Sequence, residues 1–361
     1  MTTWQRRFPL VLIACALVAL VVITATRSTP ATGDVPTSEP ATAPSPFASS
    51  DPVPRMAIVY DVDGRGTAGF NELAWEGVKQ AADKFGAELK EVTASPDDTD
   101  ADREQRLRDL ADAHYYPIFA VGPTYASAVA KVAPEYPGTW FAVVDDGTVD
   151  GPKVIGIQFN EEQGAFLVGA AAALTSKTGN VGFVGAAQTP LLEKYEAGFT
   201  AGARAADPRV KVQVAYPSQP SASTVGDQAK AKKAALEMYD GGADVVFGAD
   251  GESAIGVIAA AHDRGLWAIG ADSDRYLEAD PSVRDAILTS MLKRPDIATY
   301  TIAMEIANGV AKDGNNVFGV GADGVGYSTS GGFVDPIKAK LDAFAARIAS
   351  GEILVPTKPK P

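Results

Sequence analysis

Residues Gly64-Arg65-Gly66-Thr67-Ala68-Gly69 have the G-x-G-x-x-G spacing whose glycines let a pyrophosphate approach a helix N-terminus. A strand-like run precedes them and a helical run follows. Glu88 or Glu91 falls about 20 residues on, where a ribose-binding acid belongs in a dinucleotide fold. The turn from Asp61 to Gly64 is longer than the immediate turn of that fingerprint, and a flexible glycine-rich ligand loop accounts for the same residues. Asp61-Val62-Asp63 has the start of a calcium cluster, but a hard cation needs further oxygens nearby, and the following positions are Thr67 and Ala68. The chain has two histidines, His114 and His262, far apart, and one cysteine, Cys15. A His/Cys metal site, thiol chemistry and a body disulfide are therefore not expected, and no cofactor is implied. No G-x-x-x-x-G-K-[ST] loop, H-E-x-x-H pair or G-x-S-x-G elbow is present, which argues against an enzyme.

What remains is a set of acids, amides and aromatics at the ends of apolar runs, and those runs define the elements that must hold them. The spacing predicts strands over Arg55–Asp61, Ala87–Thr93, Tyr116–Val121, Trp140–Val144 and Val154–Phe159, with helices between most of them. The alternation restarts with a helix over Glu161–Ser176 and strands over Val181–Val184, Val210–Ala215, Asp244–Phe247 and Leu266–Ile269. Strands separated by helices of this length predict α/β architecture with parallel sheets covered on both faces. Two such series predict two doubly wound parallel-sheet lobes. Residues 55–158 plus about 286–311 are expected to form the first lobe. Residues 159–285 plus about 312–354 form the second, and 355–361 a C-terminal tail. Ligands of open α/β sheets bind beyond the carboxyl ends of the strands, so facing lobes place one site in the cleft between them.

The N-terminus sets the compartment. Arg6 and Arg7 precede an apolar run from Phe8 to Ala25, long enough to span a bilayer, with its charged side expected in the cytoplasm. Residues 1–27 fit an uncleaved anchor, a cleaved secretory signal, or a lipoprotein leader, since Leu12-Ile13-Ala14-Cys15 has lipobox form with Cys15 as the lipidated residue. Each fate leaves the body on the extracytoplasmic face of the cell membrane. Residues 28–54 are rich in Pro, Ser, Thr and Ala and read as a disordered tether. The net charge of −13 repels phosphate backbones, so nucleic acid is not an expected partner.

Several segments taken in order resemble the basic membrane protein family. They are Phe70-Asn71-Glu72-Leu73-Ala74-Trp75-Glu76-Gly77, Phe166-Leu167-Val168-Gly169, Val181-Gly182-Phe183-Val184-Gly185, Glu196-Ala197-Gly198-Phe199, Ala243-Asp244-Val245-Val246-Phe247, Ala268-Ile269-Gly270-Ala271-Asp272-Ser273-Asp274 and Leu288-Thr289-Ser290-Met291-Leu292-Lys293-Arg294. The resemblance implies a type I periplasmic-binding-protein fold, with a multi-strand hinge between the lobes. It also implies capture of a nucleoside, of purine type in the family's characterised members, for an ABC permease. A membrane-tethered ligand sensor on the same fold is the alternative.

Carried over by residue, the resemblance makes Asp61 a base-contacting carboxylate, Phe70 the aromatic that stacks on the base and Asn71 the adjoining amide. It makes Asp145 a second base-facing carboxylate, Gly251 and Asp272 ribose contacts, and Lys293 the lysine that reaches the sugar hydroxyls. Structural roles compete: Phe70 as a helix-entry staple, Asp61 as a turn cap, Lys293 as a solvated strand-end charge and Trp75 as helix packing. The chain departs from the family at Thr67-Ala68-Gly69. It departs again at Val225, which stands where a second stacking phenylalanine is expected.

Overall fold

The computed structural model describes residues 53–61, 64–66, 69–220 and 227–360. The leader with Cys15, the tether up to residue 52, the Thr67-Ala68 departure and Val225 lie outside the described residues. No helix among the described residues is long and apolar enough to cross a membrane.

The first half runs β1 (Arg55–Tyr60), α1 (Phe70–Phe85), β2 (Glu88–Thr93), α2 (Asp100–Asp112), β3 (Ile118–Val121), α3 (Ala126–Val132), β4 (Phe141–Val144) and β5 (Val154–Phe159). The second runs α4 (Glu161–Thr175), β6 (Asn180–Val184), α5 (Pro190–Ala206), β7 (Lys211–Ala215), α6 (Gln228–Asp240), β8 (Val245–Gly248), α7 (Gly251–Arg264), β9 (Trp267–Gly270), α8 (Arg275–Glu278) and β10 (Ile287–Lys293). Then come α9 (Pro295–Ala307), β11 (Gly314–Phe318), β12 (Val325–Tyr327) and α10 (Lys338–Ala349).

The strands form two six-stranded sheets of matching order, β11-β5-β4-β3-β1-β2 and β12-β10-β9-β8-β6-β7. Every pairing is parallel except that of β12 with β10. Central strands such as β3 and β4 are buried at every position because helices cover both faces, which is why they read as unbroken apolar runs. This is the type I periplasmic-binding-protein fold, with two lobes joined by three crossings: β5 to α4, β10 to α9, and β11 to β12.

The late strands are distributed differently from the sequence reading. Ala286–Leu292, expected in the first lobe, forms β10 and pairs with β9 in the second sheet. The short α8 turns the chain back beside β9 before it crosses at Arg294. β11, expected in the second lobe, instead pairs with β5 and completes the first sheet. The helix of that segment does belong with the first half, since α9 packs on α1.

Helix ends are set by local chemistry. Thr99 and Asp102 form a capping box at α2, and Asp250 caps α7 by accepting from the Ser253 amide at 2.9 Å. α4 and α5 approach backbone to backbone. A Cβ at Gly198 would lie 2.1 Å from the Glu162 carbonyl oxygen, and one at Gly202 would lie 1.9 Å from that of Phe166. Those glycines let α5 seat α4 tightly beneath the second sheet, and so fix where α4 begins at the crossing.

Candidate functional site

Two aspartates occupy equivalent places in the two sheets. Asp145 follows β4 and Asp272 follows β9, and both adopt left-handed backbone, with φ of 70° and 69°. Non-glycine residues rarely hold that conformation, and where they do the surrounding structure must impose it. Here the backbone is pinned on both sides: the Asp145 amide donates to the Ile157 carbonyl at 2.8 Å, and the Asp272 carbonyl accepts from the Lys293 amide at 3.0 Å. The effect is to turn both carboxylates off the strand ends toward one small cavity of about 140 Å3.

Phe70, Asp145, Leu191, Leu192, Tyr195, Ala249, Asp250, Asp272 and Lys293 line that cavity. Phe70, Asp145, Asp272 and Lys293, four of the expected ligand residues, are thus brought together from both sheets. Lys293 is 3% exposed at the end of β10. Its ammonium donates to Asp145 Oδ1 at 2.7 Å and lies 3.3 Å from Glu161 Oε1, and it sits 5.2 Å from the ring centres of Phe70 and Phe159. Burial alone would push the Lys293 pKa down. The carboxylates of Asp145, Glu161 and Asp272 outweigh burial and hold it above the ordinary lysine range, so the group stays charged.

Asp272 responds in the opposite sense. Burial pushes its carboxyl above the usual aspartate range, opposed by the Lys293 charge and by a hydrogen bond from the Tyr195 hydroxyl at 2.9 Å. The Tyr195 phenol is pushed up by its own burial and then by the Asp272 charge, so it remains a donor. The cavity therefore pairs carboxylate acceptors with a single ammonium and two aromatic side chains, Phe70 and Tyr195. Such a lining suits a neutral ligand rich in N–H and O–H donors with a flat apolar part. Among the described residues no group of three or more His, Cys, Asp or Glu side chains is arranged to hold a metal ion.

The other expected residues stand elsewhere. Asp61 follows β1 but does not line the cavity, and its carboxylate faces Arg103 of α2 at 3.4 Å. Asn71 donates to the Gly64 carbonyl at 2.6 Å and so braces the glycine-rich loop. Gly251 is the first residue of α7; its neighbours Ala249 and Asp250 line the cavity instead. In the loop, Arg65 lies 4.1 Å over the Trp75 ring and pairs with Glu72 and Glu91 at 3.0 and 3.6 Å. Glu91 is thereby engaged with a cation, and Trp75 packs against the core and under Arg65.

Asp250, Tyr195, Leu191, Leu192 and Glu161 were not expected at the site. Asp250 has the sequence signature of a helix cap and Tyr195 that of a helix interior, and both in fact serve that purpose as well. Glu161 could have been found from its position. It opens the helix that follows β5, beside a crossing between lobes.

Residues 55–358 match the family described as ABC transporter substrate-binding protein PnrA-like. A CD4+ T-cell-stimulating antigen of Listeria monocytogenes is 32% identical over 325 residues, covering 84% of this chain and 88% of that protein. The ABC transporter nucleoside-binding protein BmpA of Lactococcus lactis is 29% identical over 328 residues, with 84% and 89% covered. A solved ABC transporter solute-binding protein from Aeropyrum pernix superposes with a TM-score of 0.66 at 25% identity, covering 86% of this chain and 94% of that one.

Proposed function

As the chain belongs to the PnrA-like family of ABC transporter substrate-binding proteins, we propose that it captures a nucleoside, of purine type, between its two lobes and delivers it to an ABC permease. The body works on the extracytoplasmic face of the cell membrane, held there through its N-terminus. The observation that carries this reading is the convergence of Phe70 and Asp145 from the first lobe with Asp272 and Lys293 from the second on one cavity. A similar protein from Lactococcus lactis bears the name of a nucleoside-binding protein, which supports the same ligand class.

The base lies against Phe70, with Asp145 accepting its N–H groups, and the sugar hydroxyls lie between Asp272 and Lys293. The cavity of about 140 Å3 is smaller than the roughly 300 Å3 at the low end of ligand sites. Ligand entry therefore requires Lys293 to leave Asp145 and the lobes to part about their three crossings. Closure follows because the ligand contacts both lobes and so favours the closed state by its differential affinity. Catalysis has no part in this scheme.

Titration calorimetry of residues 51–361 with adenosine, guanosine, inosine and uridine tests the reading. Saturable heat with a purine nucleoside is expected. No heat and no thermal shift with any of the four refutes the nucleoside assignment.

A further inference from the structure

Asp250 offers the cavity one carboxylate oxygen that its structural task does not use. Its Oδ1 accepts from the Ser253 amide and caps α7. Its Oδ2 is shielded from solvent and accepts no hydrogen bond among the described residues, although the residue lines the cavity. A cap does not call for a second oxygen: serine or threonine caps a helix nearly as well with one. The neighbouring acids are engaged, Asp145 Oδ1 by Lys293 and Asp272 Oδ1 by Tyr195. A buried acceptor with no donor is unfavourable until one arrives.

We propose that Asp250 is a specificity-determining residue whose Oδ2 accepts a hydrogen bond from a sugar hydroxyl of the bound nucleoside. The inference rests on the nucleoside reading and deepens it. Placement decides between sugar and base. Phe70 offers its ring from α1 beside the first sheet, whereas Asp250 and Asp272 leave adjacent strands, β8 and β9, of the second. A base held on Phe70 turns its sugar toward those two acids. Asp250 carries only acceptors when ionised, so it selects a hydroxyl donor at that position and disfavours an ether, a missing hydroxyl or a phosphate.

The experiment compares the full chain with Asp250→Ser, which keeps the cap and removes the second acceptor, by calorimetry. The ligands are the best-bound purine nucleoside and its 2′-deoxy, 3′-deoxy and 5′-deoxy analogues. In the unsubstituted protein one analogue should bind about 10- to 100-fold more weakly than the parent, as expected for a hydrogen bond to a charged group. In Asp250→Ser the parent should fall to the level of that analogue, while the analogue itself changes little. Asp250→Asn, close in shape, should keep part of the discrimination, because its amide still hydrogen-bonds a hydroxyl without the help of the charge, and thermal melting confirms that each variant is folded.

Parent affinity unchanged in Asp250→Ser overturns the inference and leaves Asp250 a helix cap. An equal loss for the parent and all three analogues in a folded variant also overturns it, since the effect then belongs to the loop. If the unsubstituted protein binds no nucleoside, the inference falls together with the reading beneath it, a result distinct from the other two.

Discussion

Replacing Lys293 by methionine isolates the charge at the centre of the site while keeping most of the side-chain volume. The ammonium is buried and serves two acids, Asp145 at 2.7 Å and Glu161 at 3.3 Å. Removing one partner of a buried ion pair leaves the other charge uncompensated, which costs about 3–5 kcal/mol. Two features place this case at the low end. Glu161 keeps Lys194 at 3.4 Å, and the Asp145 side chain is 24% exposed, so water recovers part of the loss. At about 3 kcal/mol, and with 2–4 °C per kcal/mol for a body of this size or somewhat smaller, the melting temperature should fall by roughly 6–12 °C. Differential scanning calorimetry at pH 7 measures it. Lys293→Met combined with Asp145→Asn should recover part of the loss, because the stranded charge is then gone. A single variant that melts with the unsubstituted protein, or a double variant lower than the unsubstituted protein by the sum of the two single losses, refutes the description of Lys293 as the cation that neutralises this cavity.

Three further outcomes follow from other parts of the structure. Phe70→Ala should weaken nucleoside binding by about 1–3 kcal/mol, the worth of one base-stacking face, and should also lower the melting temperature, because the ring packs edge-on against Phe159; calorimetry reads both. Since burial raises the Asp272 carboxyl above the ordinary aspartate range, its anion is lost early on acidification. Ligand affinity should fall as pH drops through that raised value, while Asp272→Asn should bind weakly with a flat profile in the same titration. Gly198→Ala puts a methyl 2.1 Å from the Glu162 carbonyl oxygen and should destabilise the body by at least about 1–3 kcal/mol in urea unfolding, because α4 must move to admit it.

The two-sheet architecture was legible because fully covered parallel strands leave unbroken apolar runs, as in β3 and β4, between helices of regular length. The sheet to which a late strand belongs leaves no such trace. β10 is buried along nearly its whole length like the central strands of either lobe, and only the turn made by α8 returns it to β9. β11, Gly314–Phe318, escaped notice because its alternate positions are exposed on a sheet edge and it carries two asparagines. At the site, Asp145 and Asp272 could be read as acids that close parallel strands. Their left-handed turns, which aim them at a common cavity, are imposed by tertiary hydrogen bonds and have no local signature. Asp61 closes a strand in the same manner, yet Arg103 reaches it from α2, a partner that spacing does not disclose. Asp250 is the converse case. Its type and position are fully explained by the cap, so its second oxygen becomes visible only once the strands around β8 are in place.

Whether the nucleoside sits in the one cavity between the lobes is decided by a crystal structure of the protein grown with a saturating purine nucleoside. The base is expected on the Phe70 ring, with an Asp145 oxygen within hydrogen-bond reach of a base N–H and the sugar hydroxyls between Asp272 and Lys293. A nucleoside bound outside the space between the two sheets, with Lys293 still on Asp145, would contradict it.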